Sequence, residues 1–183
     1  NEKKLEASAE DILDLKKRIS ASFARCYSYL SAAGSIREDI SVTTSEHLQK
    51  EKADRYIKNL CAKNFPKKQD QKAVIQKRFL SAFTEDGIVC FKDTIYTLCD
   101  RVLVLRDDWF ISGYFIEKIL EKAAESCREV YVFYSPFDPA TPEHIAIPEI
   151  GLAVVTSSKT QTFRPEKTKG INLNRFIDDD IYF

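Results

Sequence analysis

Residues 101–120 read RVLVLRDDWFISGYFIEKIL and combine two kinds of hydrophobic pattern within one short stretch. Residues 101–105 are a nearly continuous apolar run, which is typical of a strand buried on both faces of a parallel sheet. Phe115, Ile116 and Ile119 follow at helical spacing and predict an amphipathic helix. Because a strand followed by a helix begins a βαβ unit, this stretch predicts an α/β fold with a mostly parallel sheet.

Similar runs on both sides of this stretch extend the α/β pattern. Apolar segments of strand length occur at residues 88–91, 130–134 and 152–156. A final helix is expected at residues 171–183, with three apolar residues facing inward: Leu173, Phe176 and Ile177. The sequence therefore predicts one α/β domain at residues 79–183, arranged as a three-layer sandwich with helices on both faces of the sheet.

The first third of the chain has helical periodicity. Apolar residues recur every three or four positions from Leu5 to Leu30, with charged residues between them, and predict one long amphipathic helix. Thr43 and Glu46 have the spacing of a capping box, so a second helix is expected to begin near Ser45. Residues 1–62 are thus predicted to form a helical hairpin.

Residues 63–78 form the clearest linker in the sequence. Pro66 interrupts the helical pattern, and the stretch is locally basic through Lys63, Lys67, Lys68, Lys72, Lys77 and Arg78. The simplest interpretation is a solvated basic linker between the hairpin and the α/β domain. A patch that binds phosphate or nucleic acid is the alternative.

The overall composition restricts the possible partners. Lys and Arg balance Asp and Glu at 28 each, so no net field attracts nucleic acid or an anionic membrane, and a nucleic-acid partner is not expected. The apolar runs are shorter than the roughly 20 residues that span a bilayer. Five cysteines without a C-x-x-C pair favour buried thiols in a reducing compartment, and we expect a cytoplasmic protein without a disulfide framework or metal site.

The loop at residues 106–113 lies where P-loop nucleotide-binding proteins carry the motif G-x-x-x-x-G-K-[ST]. Counted back from the helix, the two glycine positions hold Arg106 and Ile111. The lysine position holds Ser112, and the hydroxyl position holds Gly113. This region is therefore interpreted as a degenerate phosphate-binding loop.

The missing residues matter because the motif's glycines let backbone N–H groups approach the phosphates, while its lysine neutralises their charge. Asp107 and Asp108 are expected to repel a polyphosphate, and the bulky residues 109–111 to obstruct it. The strand at 152–156 is followed by Ser157, whereas a Mg²⁺ site there needs a carboxylate. We therefore expect no catalytic residue and no nucleotide or metal cofactor in this chain.

A second candidate ligand site follows the strand at 130–134. Ser135 and Asp138 lie just beyond its end, where open parallel sheets bind ligands, and His144 is close to them in sequence. The alternative is a rigid turn that Asp138 caps between two prolines, with His144 an ordinary surface or strand-edge residue. A Ser–His–Asp triad lacks the nucleophile-elbow sequence that would support it.

Four stretches carry a family resemblance: ASFARCYSYLSAAGSIREDI at 21–40, RFLSAFTEDGIVCF at 78–91, VYVFYSPFDP at 130–139 and IPEIGLAVVTSS at 147–158. They resemble a family of uncharacterised bacterial P-loop ATPases with two tandem nucleotide-kinase-like domains joined by a helical segment. The resemblance implies that residues 2–40 end the first domain and that residues 79–183 open the second. An N-terminal P-loop domain of the same polypeptide would then be a partner and would bind ATP and Mg²⁺ in the complete protein.

The leading functional hypothesis is a non-catalytic, degenerate P-loop NTPase-like domain that acts as a structural or regulatory partner of that ATPase domain. One alternative is the substrate-binding half of an ATP-dependent enzyme, either an ATPase or a small-molecule kinase. The other is a nucleic-acid-binding module that uses the basic residues 63–78.

Overall fold

The structure, a computed structural model, describes residues 2–67, 73–159, 161–163 and 170–178. The chain divides into two compact units, Asn1–Arg37 and Glu38–Phe183. Helix α1 (Glu2–Glu46) provides the first unit and ends within the second. The further helices and strands are α2 (Lys50–Asn64), β1 (Val74–Phe79), β2 (Ser81–Thr84), β3 (Gly87–Cys90), α3 (Lys92–Leu98), β4 (Arg101–Arg106), α4 (Ser112–Ser126), β5 (Glu129–Tyr134), β6 (Pro142–Ile147), β7 (Leu152–Ser157) and β8 (Gly170–Asn172), with short 3-10 helices at Pro148–Ile150 and Leu173–Phe176.

Helix α1 ends later than the sequence predicts. The Thr44 hydroxyl donates to the carbonyl of Ile40 one turn earlier, at 2.8 Å. This segment is therefore helix interior, and the predicted capping box at Thr43 and Glu46 is wrong. The chain turns at residues 47–49 before α2 begins. Among the described residues, no helix is long and apolar enough to cross a membrane.

The described part of the second unit contains a six-stranded sheet with the order β1-β5-β6-β7-β4-β8. Strand β6 is antiparallel to β5 and β7, whereas the β1–β5, β4–β7 and β4–β8 pairs are parallel. The predicted α/β fold with a mostly parallel sheet is thus confirmed. Strands β4 and β5 run in the same direction and are linked by α4, as the predicted βαβ unit requires.

Two hydrophobic cores lie on opposite faces of this sheet. Helices α2 and α4 pack on one face, and α3 packs on the other. The alternation along β4 reflects this arrangement, because Val102 and Val104 join the core under α3 while Leu105 joins the core under α4. Helices therefore cover both faces of the sheet, in three layers.

The basic linker predicted at residues 63–78 is shorter than expected, since Val74–Phe79 form strand β1 at the edge of the sheet. Every side chain of β1 is exposed or only half-buried, so the strand lacks the apolar alternation by which a sequence reveals a strand. Residues 68–72 lie outside the described residues. The compact unit that holds the sheet begins at Glu38 rather than at residue 79, because α2 buries its apolar side against α4.

Of two further predictions of secondary structure, the strand at 88–91 is confirmed as β3, and the helix at 171–183 is wrong over the described residues. The strand predicted at 88–91 pairs with β2 in a separate two-stranded hairpin and does not join the main sheet. The helix predicted at 171–183 is replaced by β8 and a 3-10 helix, and residues 179–183 lie outside the described residues. Three residues of this segment are nevertheless buried as predicted: Leu173, Phe176 and Ile177.

Candidate functional site

The loop between β4 and α4 begins at the carboxyl edge of the sheet. Arg106, the last residue of β4, is in register with Ser157 of β7 and with Asn172 of β8. The backbone N–H of Asp107 then donates to the carbonyl of Ser157 at 2.9 Å. The loop therefore lies at the carboxyl ends of β4 and β7, and open α/β folds bind their ligands beyond the carboxyl ends of parallel strands.

The carboxylate of Asp107 lies inside this loop and is only 2% exposed. Its Oδ1 accepts the backbone N–H groups of Trp109 at 3.1 Å and Ile111 at 3.2 Å. Its Oδ2 accepts the N–H of Ser112, the first residue of α4, at 2.8 Å. These donors belong to the loop and to the buried N-terminus of α4, whose dipole also favours a negative charge. Asp107 thus supplies, from within the chain, an anion at the position where such loops bind phosphate.

The expectation that Asp107 repels a polyphosphate stays a prediction, and the structure adds a contact within the loop that the sequence did not indicate. The carboxylate is buried in the loop and occupies its N–H donors. Asp108 is exposed, and its Oδ2 lies 3.5 Å from the side-chain nitrogen of Asn174. Of these two neighbouring acids, Asp107 is buried within the loop, whereas Asp108 faces solvent.

The aromatic residues of the loop help to fix its shape. Phe110 has a φ of 60°, which is uncommon for a bulky residue and costs about 1–3 kcal/mol. Its carbonyl accepts the Ser41 hydroxyl at 2.7 Å, while Trp109 packs against the core under α4. Ile111 is buried in the same core. The bulky residues predicted to obstruct a phosphate therefore include two, Trp109 and Ile111, that pack against the protein core.

Arg106 and Gly113 lie at the two ends of the loop. The Arg106 guanidinium lies over β8, because a Cβ added to Gly170 would be 2.9 Å from its Nε. At Gly113 an added Cβ would meet Thr141 at 3.5 Å, which is normal contact. A methyl group therefore fits at Gly113 without a clash.

The predicted site at Ser135 and Asp138 is a closed turn. The backbone N–H of Ser135 donates to the Thr141 carbonyl at 3.0 Å, and its hydroxyl accepts the N–H of Phe137 at 3.3 Å. Asp138 accepts the Thr141 hydroxyl and the N–H of Ala140, and these bonds hold the pKa of its carboxyl below the usual range. The rigid-turn alternative accounts for these contacts.

His144 is not the surface or strand-edge residue that the sequence suggests. It is fully buried within β6, and its Nδ1 accepts the backbone N–H of Thr156 in β7 at 3.0 Å. The neutral ring then carries its proton on Nε2, which lies 3.6 Å from Oε2 of Glu143. Burial lowers the pKa of His144 to about 3.

The segment after β7 covers this histidine, which the sequence did not indicate. Phe163 meets the His144 ring edge-on with ring centroids 5.3 Å apart. The amide nitrogen of Gln161 lies 3.3 Å from Nε2 of His144 and donates to the sulfur of Cys90 at 3.0 Å. Within the described part of the chain, no hydrogen bond joins Ser135, Asp138 and His144 to one another, so the structure does not assemble them as a triad.

All five cysteines lie among the described residues and are free thiols. Three are buried, and burial raises the pKa of Cys61 to about 11 and that of Cys127 to about 12. Cys26 on α1 is exposed, contrary to the expectation of buried thiols. The described residues contain no group of three or more His, Cys, Asp or Glu side chains that could hold a metal ion.

Comparison with known proteins finds no family model, curated protein or solved structure that matches the chain. The resemblance to tandem P-loop ATPases therefore remains a prediction. The geometry by itself defines an α/β unit whose helix-terminal loop encloses one of its own carboxylates.

Proposed function

We propose that this chain is a non-catalytic α/β domain of the P-loop NTPase type, in which the Asp107 carboxylate replaces the bound phosphate. We propose further that it is a structural or regulatory partner of an ATPase domain in the same protein. The observation that carries the proposal is the set of three backbone N–H groups donated to one buried carboxylate.

The loop does not fit a nucleoside triphosphate. A phosphate at the α4 N-terminus would have to expel Asp107 and give up three charge-assisted hydrogen bonds, each contributing about 1.5–3 kcal/mol. If the carboxylate stayed, the two negative charges would repel each other at close range. The loop residues 106–113 also include no lysine, and the guanidinium of their one cation, Arg106, lies over β8.

The neighbouring strand does not fit Mg²⁺. In a P-loop protein the strand beside the phosphate loop ends in an acid that helps to hold the metal. Strand β7 is the parallel neighbour of β4 and ends in Thr156 and Ser157. The Thr156 hydroxyl donates to the Glu143 carbonyl at 2.8 Å, and the Ser157 hydroxyl accepts the N–H of Phe163 at 3.0 Å. Both hydroxyls form hydrogen bonds within the protein, which supports a structural rather than a catalytic role for this chain.

The second unit also offers surface for a partner domain. Strand β1 is an edge of the sheet, and Val74 and Phe79 on it are well exposed, as is Phe91 before α3. Exposed apolar side chains at a sheet edge are typical of surfaces that another domain covers. These residues therefore support a role in contact with a neighbouring domain.

The proposal predicts that the chain does not bind nucleotides. We expect no change in melting temperature with millimolar Mg-ATP, Mg-GTP or their diphosphates, measured by thermal shift. A ligand present at 100 times its Kd would add about 2.7 kcal/mol, or several degrees. A clear shift of the unmodified chain would contradict the proposal and favour the substrate-binding half of an ATP-dependent enzyme.

Emptying the loop gives a sharper test. We expect the Asp107→Ala variant to be stabilised by millimolar pyrophosphate, because the freed N–H groups regain an anion. The Asp108→Ala variant is the matched control and should respond like the unmodified chain, which also corrects for general salt effects. Equal responses of the two variants would mean that the loop is not a phosphate-type site.

A further inference from the structure

The long helix α1 presents an uncovered apolar face in the first unit. Ile12, Leu15 and Ile19 are 66%, 54% and 47% exposed, although side chains of this kind are usually buried. Covering such a face would contribute about 25 cal/mol for each Å² of apolar surface.

The residues of this face follow a seven-residue repeat. With Ile12 at position a, every a and d position as far as Ile36 is aliphatic, aromatic or a cysteine, except for a small serine at Ser22. The a positions are Ile12, Ile19, Cys26 and Ala33, and the d positions are Leu15, Ser22, Tyr29 and Ile36. The repeat covers about three and a half heptads, which is the length at which such a pattern indicates a coiled coil.

A second way of numbering the heptads fits the sequence less well. With Ile12 at position d, Lys16 and Arg37 would take a positions, and each would bring a charge into the seam between the helices. A polar residue at a core position lowers the stability of a coiled coil, and a serine carries no charge to bury. The numbering with Ile12 at a is therefore the favoured one.

We propose that this face binds the same face of a second copy of the chain, as a parallel, in-register two-stranded coiled coil over residues 12–36. Isoleucine at a together with leucine at d favours two parallel strands, and Ile12, Leu15 and Ile19 have this arrangement. The inference uses only α1, and it competes with the family resemblance, under which residues 2–40 end a first domain.

Charges beside the apolar face agree with this orientation. In a parallel pair, position g of one helix faces position e of the next heptad in the other helix. Asp11 at g is then opposite Lys16 of the second copy, an attractive pair, while Arg25 at g faces the uncharged Leu30 of the second copy. In a fully overlapping antiparallel pair g faces g, which would bring Arg25 next to the same arginine of the other chain.

A membrane surface fits this helix less well than a second copy. Helices that lie in a bilayer interface have a polar face rich in Lys and Arg. On α1 the corresponding residues mix both signs, with Glu10, Asp11 and Asp14 beside Lys17 and Arg18. An anionic lipid surface would therefore repel as well as attract this helix.

The proposed register can be tested through Cys26. At an a position of a parallel in-register pair, the two Cys26 residues face each other, at a separation a disulfide can bridge. Diamide removes two electrons and two protons from the thiols and is reduced to the hydrazine. We expect the full chain to give a covalent dimer on a non-reducing gel and the Cys26→Ser variant to give none.

A matched control moves the thiol to the outer side of the same helix. Ser28 lies at position c, so adding Ser28→Cys to the Cys26→Ser variant should not restore the covalent dimer. Cys61, Cys99 and Cys127 are buried, and Cys90 is half-buried with its sulfur hydrogen-bonded to Gln161, so these four thiols should not contribute. Equal cross-linking of the two thiol positions, or none at Cys26, would overturn the parallel register.

Mass measurement by light scattering tests the association itself. We expect twice the 21.0 kDa of the chain, a return to 21.0 kDa in the Ile19→Asp variant, and no change in the control Leu13→Asp, whose residue is also exposed but lies at position b. Fluorescence of the single tryptophan, Trp109, shows whether the second unit remains folded in each variant. A monomeric unmodified chain at 100 µM, or a dimer that survives Ile19→Asp, would contradict the proposal.

The exceptional serine tests the heptad numbering. Ser22 lies at d, so Ser22→Leu should add apolar surface to the seam and lower the Kd of the dimer roughly tenfold or more. Ser20 lies at position b, and Ser20→Leu is the matched control that should leave the Kd nearly unchanged. Dilution followed by light scattering measures both values, and an equal effect of the two leucines would overturn the numbering.

Discussion

The β4–α4 loop and the β6–β7 strand pair each bury one titratable side chain, and they do so in different ways. Asp107 accepts three N–H groups, all from the five residues that follow it. His144 accepts one N–H, from a different strand, and is covered by residues that come after β7. The first side chain is surrounded by donors from its own loop, whereas burial keeps the second one neutral.

The largest effect is expected from removing the acceptor in the loop. The Asp107→Ala variant would leave three donors at a buried helix terminus without their partner, and each such loss costs about 1–3 kcal/mol. We expect the free energy of unfolding to fall by about 4 kcal/mol, measured by urea denaturation with Trp109 fluorescence. Asp108→Ala should change it by less than about 0.5 kcal/mol. If both variants lost the same free energy of unfolding, the hydrogen bonds of the buried Asp107 would not stabilise the fold more than the exposed Asp108 does.

The second largest effect is the contribution of His144 to the pH dependence of the free energy of unfolding. Its folded-state pKa of about 3 lies below the unfolded value of about 6.5, so the unfolded state binds the proton more strongly. The contribution of His144 is therefore complete above pH 6.5 and is lost as the pH falls toward 3. We expect the free energy of unfolding to decrease by roughly 2 kcal/mol between pH 6.5 and 4.5 from this group alone.

The measurement is urea denaturation at several pH values in this window, for the unmodified chain and for His144→Gln. Asp54 and Asp138, whose carboxyl pKa values are lowered, add a slope of the same sign that both proteins share. The variant should therefore have the shallower slope. His47→Gln is the matched control and should retain the full slope, and a slope unchanged by His144→Gln would mean that water reaches the ring.

These two sites also separate what a sequence can predict from what it cannot. Strands β4, β5 and β7 and helix α4 are predictable because each has its own apolar pattern, and the position of the loop follows from β4 and α4. The role of Asp107 is missed because its charge is considered only in relation to a polyphosphate and not to the backbone N–H groups beside it. A carboxylate a few residues before a helix is itself a signal for such a contact.

The surroundings of His144 have no comparable local signal. Strand β6 begins with Pro142, Glu143 and His144, a polar start that is not typical of a buried strand. Its burial depends on antiparallel pairing with both neighbours and on Phe163 from a later segment. Strand β1 is not predicted because it lies at the edge of the sheet and its side chains are exposed or half-buried. Its sequence therefore lacks the alternation of apolar and polar residues that marks a strand with one buried face.

The smallest expected effects compare one glycine from each region. Gly113 lies in the first turn of α4 and has room for a methyl group, 3.5 Å from Thr141, whereas Gly151, between β6 and β7, has a φ of 60°. Alanine suits a helix better than glycine does and is strained at positive φ. We expect Gly113→Ala to raise the free energy of unfolding by about 0.5–1 kcal/mol and Gly151→Ala to lower it by about 1 kcal/mol. Urea denaturation of both variants checks the signs, and a destabilised Gly113→Ala would mean that the α4 N-terminus needs its glycine for more than helix geometry.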